Sequence, residues 1–480
     1  MRLTKIVATI SDQRCDVDFI KSLYEAGMNV ARINTAHISK ESGTKVIENI
    51  RSVSSDIAIL IDTKGPEIRT INLASNLEVK EGDLITISGE NITSKAHQLH
   101  VSYPDFAKGI PIGSKILIDD GDIALEVKEK KEDYLSCLVL NDGIIKNKKS
   151  INVPGVTINL PSLSIKDKDF ILFAIENDLD FIAHSFVRNK EDVLSVREIL
   201  DQHSSTIEII SKIEDLDGVN NIDEILEYSN GIMVARGDLG IEIPAEKIPG
   251  IQRLLIRKAV QQKKPVIIAT QMLHSMIEHP RPTRAEVSDV ANAIYSRTDA
   301  IMLSGETANG KYPVEAIQTM DRIALESEKG KDKRNDFTIP AIHNEIPTYL
   351  AQSAIRAAKE LHPKAIVTTT TTGRTSRYLA AYRSDVPVFT KCHSMYVVRQ
   401  MALSYGIFPT YLPIKKNKFR IEKAAVKSLL EDGSFKKEDL IIYVGGRFGE
   451  DCGATFLEIS KAGQLTKDHQ PSKDAGFKDI

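Results

Sequence analysis

The chain has 480 residues, 63 Lys and Arg against 66 Asp and Glu, and a formal net charge of −3. That length divides into two to four domains with cores of their own, and a charge so near balance gives no electrostatic pull toward nucleic acid or an anionic membrane. Cys15, Cys137, Cys392 and Cys452 show no CxxC spacing, which argues against a disulfide framework or a zinc knuckle and fits a reducing compartment.

From Met1 the chain runs directly into a strand-like segment with no apolar stretch of signal-peptide length, and no later run approaches a membrane-spanning length, so a cytoplasmic protein is expected. Strand-like and helix-like segments then alternate: strand 5–10, helix 17–26, strand 30–34, helix 40–54 and strand 57–62. This rhythm implies a parallel sheet. It stops over residues 72–159, where short β-type runs at 84–88, 115–118 and 135–140 are separated by turn signals, Asp119-Asp120-Gly121-Asp122 and Asn141-Asp142-Gly143. A small all-β module is therefore expected as an insertion after the third strand.

The alternation resumes with helix 165–176, strand 181–185, helix 189–202, a strand opening at Ile207, helix 219–229, strand 231–235, helix 252–263, strand 265–269, helix 284–297, strand 300–303 and helix 313–329. That makes eight βα units, the number in a closed (β/α)₈ barrel. After a charged connection, 329–336, come helix 348–361, strand 365–369, helix 375–382, strand 386–390, helices 395–403 and 421–431 and strand 440–444, which read as a separate doubly wound α/β domain. The polar residues after Gly463 are expected to form a poorly ordered tail.

Chemistry in such a barrel sits where strands end and βα loops begin. The expected strand ends carry Arg32 and Asn34; Asp62, Thr63, Lys64 and Glu67; Lys212 and Glu214; Arg236 and Asp238; Thr270 and Gln271; Ser304 and Glu306. Glu214 and Asp238 come from adjacent strands and can share one hard cation of the Mg²⁺ type, which keeps open positions for substrate oxygens. Lys212, two residues before Glu214, lies on the same side of an extended strand, where an ammonium can neutralise a transferring phosphoryl group. The plainer reading of the same residues is a buried Lys-Glu pair closing a strand. A nucleophile elbow, a Cys-His pair, a dinucleotide fingerprint and a Walker-type phosphate loop are all missing, so any nucleotide must be held another way.

Along nearly its whole length the chain resembles the pyruvate kinase family, through Met28 to Asn34, Asp62 to Arg69, Ser211-Lys212-Ile213-Glu214, Met233 to Gly240, Ala269 to Leu273, Pro280 to Asn292 and Met302 to Ala308. The resemblance implies a barrel domain from residues 1–68 and 159–335, an inserted β-rich lid at 69–158, a C-terminal α/β effector domain at 345–480, and a homotetramer. It implies phosphoryl transfer from phosphoenolpyruvate to ADP, giving pyruvate and ATP, with Mg²⁺ (or Mn²⁺) and K⁺ as cofactors. Lys212 then corresponds to the lysine that stabilises the phosphoryl group in flight and Arg32 to the arginine on the phosphate. Gly237, Asp238 and Thr270 correspond to the substrate-carboxylate positions, Thr270 also being implicated in protonating the enol. Glu214 and Asp238 correspond to the divalent-ion ligands, Asn34, Asp62 and Thr63 to K⁺ ligands, and Asn34, His37, Arg69 and Lys149 to the nucleotide side. Ser304 and Glu306 resemble a pair near the proton path. Where the family commonly has Asn-Phe-Ser-His-Gly, this chain has Asn34-Thr35-Ala36-His37-Ile38, so a hydroxyl that helps ligate K⁺ is missing. The competing readings are a Mg²⁺-dependent barrel lyase or aldolase working through a pyruvate enolate, and a silent sugar-phosphate sensor of the same fold.

Thr370, Thr371, Thr372, Gly373, Arg374 and Thr375 follow a strand and open a helix. Hydroxyls, free helix-terminal amides and an arginine suit a phosphate, and a Thr-rich helix cap is the plainer alternative. The resemblance implies a phosphorylated-sugar activator bound at this loop.

Overall fold

Strands with inward-facing residues at every second position can fill a barrel with one set of side chains while the other set packs against surrounding helices. The computed structural model, which describes residues 1–94, 97–330, 346–413, 421–446 and 453–467, closes eight such strands into one parallel barrel in sequential order. They are Lys5–Thr9, Val30–Asn34, Ala58–Asp62, Phe181–His184, Glu208–Ile213, Gly231–Ala235, Val266–Ala269 and Ala300–Leu303, barrel strands one to eight below. Val7, Val30, Leu60, Ala183, Ile210, Met233 and Met302 fill the interior, whereas Ile6, Ile59, Ile182, Ile209 and Ile232 face the helices. Two residues beyond an interior residue the side chain points inward again. Thr9, Arg32, Asp62, Ser185 and Lys212 are thereby carried to one mouth of the barrel.

The module between strands three and four is itself a closed seven-stranded barrel with a separate core that includes Ile85, Ile87, Leu99, Val101, Leu125 and Leu135. Its turn at Asp119-Asp120-Gly121 has three consecutive positive φ values, 55°, 57° and 97°, as the turn chemistry there implies. The C-terminal sheet has five strands in the order Ile407–Tyr411, Val388–Cys392, Ala365–Thr370, Leu440–Gly445 and Phe456–Lys461, the last pair antiparallel.

Several local expectations need correction. The helix expected at 219–229 is two, Leu216–Asn220 and Ile222–Tyr228. Asp215 starts the first by accepting the Gly218 N–H at 2.7 Å, and Asn221 breaks it at φ −96°, ψ 15° while its side chain donates to the Arg188 carbonyl. Residues after Ala235 form a short helix, Arg236–Glu242, an element that the sequence pattern does not predict. The C-terminal sheet also has two outer strands, Ile407–Tyr411 and Phe456–Lys461, that the sequence pattern does not predict. The connection beyond Gly330, the position of Cys452 and the tail from residue 468 lie outside the described residues, although Gln464 and Leu465, the first residues of the expected tail, belong to a short helix, Ala462–Leu465.

The end of the barrel opposite the mouth is closed by the C-terminal domain. Leu403 and Ala402 join the interior cluster. Arg383 grips Asp299 with two bonds of 2.9 and 2.6 Å, Arg399 reaches Asp180 at 2.5 Å, and Arg377 pairs with Glu208. All three acids stand at or just before the start of a barrel strand.

Candidate active site

The mouth is organised around Lys212. A lysine ammonium has three N–H donors and no acceptor, and this one lies 2.6 Å from Ser185 Oγ, 2.8 Å from Glu214 Oε1 and 3.1 Å from Asp62 Oδ1. Its side chain is only 12% exposed. Burial alone pulls the amine below its ordinary range, but Asp62, Glu214 and Asp238 outweigh it and hold the group protonated. Arg32 completes the cationic side: its Nε donates to Asp62 Oδ2 at 2.6 Å and its Nη1 to Thr9 Oγ1 at 2.9 Å. Burial raises the Asp62 carboxyl, yet Lys212 and Arg32 together bring it below its usual value. Asp62 is thus an anion shared by two cations.

Glu214 is buried, and burial pushes its carboxyl up to about 7, with Asp238 adding to the rise and Lys212 opposing it. Asp238 is raised chiefly by burial as well. Two desolvated carboxylates, each raised chiefly by burial and the first raised further by the second, are short of positive charge, and a divalent cation bound by oxygen is what such a pair fits. Two carboxylates are too few to fill the coordination sphere of such an ion, which would keep positions for water and substrate oxygens; among the described residues no set of three or more His, Cys, Asp or Glu side chains gathers in a metal-holding group.

Strand seven ends in unusual backbone. Thr270 and Gln271 have φ of 68° and 53°, and a β-branched residue there marks strain held in place by its surroundings. Arg236 does part of the holding, donating to the Thr270 carbonyl and to Asp289, both at 2.7 Å. The Thr270 hydroxyl accepts the Gly237 N–H and donates to the Ala269 carbonyl, again at 2.7 Å each. Glu306 is buried and accepts the backbone N–H groups of Ser304 and Leu273, so it organises the end of strand eight.

Arg32, Asn34, His37, Asp62, Thr63, Arg69, Lys212, Glu214 and Asp238 all line one open cleft of ≈1380 Å³ between barrel and lid. Ala36 lines it too, beside Asn34, whose side chain accepts the Ala36 N–H at 3.0 Å. Arg69 is braced by Glu67 at 2.6 Å. Lys149 sits on the lid paired with Asp119 at 2.8 Å and is not part of the cleft lining. Thr9 and Ser185 were missed in the sequence because neither carries charge nor a motif; the inward parity of Val7 and Ala183 was the available signal.

At the proposed effector loop Gly373 has φ 82° and donates its N–H to Thr370 Oγ1 at 2.8 Å. A Cβ there would meet Met401 Cε at 2.5 Å. Thr371, Thr372 and Arg374 are exposed and Thr375 is buried. Arg374 lies along its own helix, Nε 3.1 Å from the Tyr378 hydroxyl.

Comparison with known proteins agrees with this geometry. The family model for the pyruvate kinase barrel domain matches residues 1–317 and that for the pyruvate kinase alpha/beta domain residues 349–459. A pyruvate kinase of Borreliella burgdorferi is 47% identical over 465 residues, 96% of this chain and 97% of that protein. One of Geobacillus stearothermophilus is 46% identical over 466 residues, 95% of this chain and 79% of that protein. The crystal structure of a pyruvate kinase from Cryptosporidium parvum superposes with a TM-score of 0.90 at 37% identity, covering 96% of each chain. With both domain models matched and the barrel mouth built as described, the chain belongs to the pyruvate kinase family.

Proposed function

We propose that this chain transfers the phosphoryl group of phosphoenolpyruvate to ADP, giving pyruvate and ATP. The observation that carries the reading is the protonated Lys212 at the barrel mouth, with Arg32 bound to the same Asp62 and two cation-hungry carboxylates beside it. As the ADP β-phosphate oxygen attacks, the bond from phosphorus to the enol oxygen breaks, and Lys212 and Arg32 offset the charge on the phosphoryl oxygens. Gly237, Asp238 and Thr270 receive the substrate carboxylate, and the Thr270 hydroxyl, already hydrogen-bonded on both sides, lies on the path by which carbon 3 of the enolate gains its proton. Glu214 and Asp238 would hold Mg²⁺ or Mn²⁺, which when bound neutralises substrate oxygens. His37 and Asn34 serve the nucleotide from the barrel side and Arg69 and Lys149 from the lid. A cytoplasmic location belongs to the same reading, in keeping with the buried free thiols of Cys15, Cys137 and Cys392, and a homotetramer is what membership of the family implies. No helix among the described residues is long and apolar enough to cross a membrane.

The test is a lactate-dehydrogenase-coupled assay with phosphoenolpyruvate and ADP. Pyruvate that appears only when ADP is present supports phosphoryl transfer. Release without ADP would favour a lyase, and no release at all would favour a silent sensor.

Asn34, Asp62 and Thr63 are assigned to K⁺, with Ala36 supplying no hydroxyl. K⁺ activation is expected to persist with a water in place of the missing ligand, and Ala36→Ser should lower the half-saturating K⁺ by about threefold or more, the worth of one added oxygen contact. Titration against tetramethylammonium at constant ionic strength checks this, and activity independent of K⁺ would remove the assignment.

A sugar phosphate at the Thr370 to Thr375 loop is expected to lower the apparent KM for phosphoenolpyruvate about fivefold or more, a usual size for coupling between distant sites. A panel including fructose 1,6-bisphosphate and ribose 5-phosphate would be run on the wild type and on Arg374→Glu. Activation undiminished by Arg374→Glu excludes the loop; no response to any compound leaves it a helix cap.

A further inference from the structure

Ser185 and Phe186 follow barrel strand four, and between them they hold both functional side chains of strand five. The Ser185 hydroxyl accepts from Lys212 at 2.6 Å and donates its own proton to the Thr63 carbonyl at 2.7 Å. The Ser185 N–H is bound in turn by Thr63 Oγ1 at 3.1 Å. Phe186 donates its N–H to Glu214 Oε2 at 2.6 Å from backbone with φ of 54°, a left-handed value uncommon outside glycine. The neighbouring Thr63-Lys64-Gly65 turn fits against this pair so closely that a Cβ on Gly65 would stand 2.8 Å from Ser185 Cβ and from the Phe186 ring. Ser185 is 1% exposed.

We infer that Ser185 is a positioning residue for phosphoryl transfer: its hydroxyl, oriented by the Thr63 carbonyl, fixes where the Lys212 ammonium stands. The inference rests on the role proposed above for Lys212. The ammonium donates a hydrogen bond to Ser185 and stands at ion-pair distance from Asp62 and Glu214, so a substrate oxygen that draws on its charge must compete with these three. Glu214 is the carboxylate assigned to the divalent ion, and its second oxygen is held independently by Phe186. Asp62 is shared with Arg32, so its grip on Lys212 changes whenever Arg32 engages an anion. The Ser185 hydroxyl is the uncharged member of the three. Its acceptor lone pair is aimed by a hydrogen bond to main chain, and that aim does not depend on which charges occupy the cleft. Thr63, which provides the aim, also belongs to the residues assigned to K⁺, so the same turn ties that site to Lys212.

Ser185→Ala removes the hydroxyl and leaves the backbone clamp in place. Turnover is expected to fall about fivefold or more, with KM for phosphoenolpyruvate within about threefold and the melting midpoint within about 3 °C, because a charge-assisted hydrogen bond acting on the transition state is lost. A second readout needs no substrate: the rate at which Lys212 in the free enzyme reacts with an amine-labelling reagent, followed by peptide mass spectrometry, should rise about threefold or more as the ammonium loses an acceptor. A purely structural role would not change labelling of the folded enzyme. A smaller fall in turnover, or a fall with Lys212 labelling unchanged, overturns the inference. Lys212→Met measured in parallel separates the two ideas. If it retains wild-type turnover, the reading of the site fails; if it is inactive while Ser185→Ala is normal, only the role of Ser185 fails.

Discussion

Lys212→Met is expected to lower turnover by roughly a thousandfold or more while leaving phosphoenolpyruvate binding within about tenfold, because the ammonium is worth most when charge develops on the leaving phosphoryl group. Methionine keeps most of the side chain's length and apolar stem, so the barrel mouth loses a charge more than it loses volume. Asp62 retains Arg32, at 2.6 Å, and Glu214 retains the Phe186 N–H, so neither carboxylate is stripped of every partner. Steady-state kinetics and a phosphoenolpyruvate binding titration give the two numbers, with a melting curve to establish that the variant is folded. A loss of turnover below tenfold would show that the chemistry does not pass through Lys212.

Glu214→Ala and Asp238→Ala should each raise the Mg²⁺ concentration needed for half-maximal activity by roughly a hundredfold or more, since loss of a ligand exceeds the 10–100-fold typical when only a ligand's supporting partner is removed. The two variants should differ at saturating metal. Glu214 also binds Lys212 at 2.8 Å and takes the Phe186 N–H, so its removal loosens the ammonium and the turn behind it, and turnover stays low. Direct Mn²⁺ binding, measured by electron paramagnetic resonance on the free enzyme, should weaken in both. Unchanged titrations in either variant would move the metal to other residues.

Strand ends were the most legible part of the site. A charged residue straight after an apolar run is conspicuous, and Lys212, Glu214, Asp238, Arg32 and Asp62 were all found that way. The same rule is blind to Ser185, which after Phe-Ile-Ala-His looks like any strand exit, and to Thr9, whose function lies in a contact with Arg32 from the neighbouring strand. The helix Arg236–Glu242 was hidden by Gly237 and Gly240, which lower local helix propensity; the bonds from Arg236 to Asp289 and from Gly237 to Thr270 come from sequence-distant partners. Ile407–Tyr411 was obscured by Pro409, and it lies at the sheet edge, where proline is tolerated. Phe456–Lys461 alternates only weakly because most of it is exposed. What pattern reading recovers is the periodicity of burial, and what it misses is decided by single long-range bonds.

The pairing of the barrel floor with the C-terminal domain also sets an order of events during synthesis. Asp180, Glu208 and Asp299 leave the ribosome well before Arg399, Arg377 and Arg383, their partners, and Leu403, which completes the interior, follows later still. At roughly 5–20 residues per second, the nascent barrel spends several seconds or more with Glu208 and Asp299 lacking their arginines and with Asp180 paired to Arg51 alone. Breaking a buried ion pair by removing one partner destabilises by roughly 3–5 kcal/mol, so the floor cannot seal during that interval. The last-made third of the chain closes the first-made part. A product cut short before Arg377 therefore keeps an open, acidic end to its barrel and meets the cell's proteases and chaperones before it meets substrate.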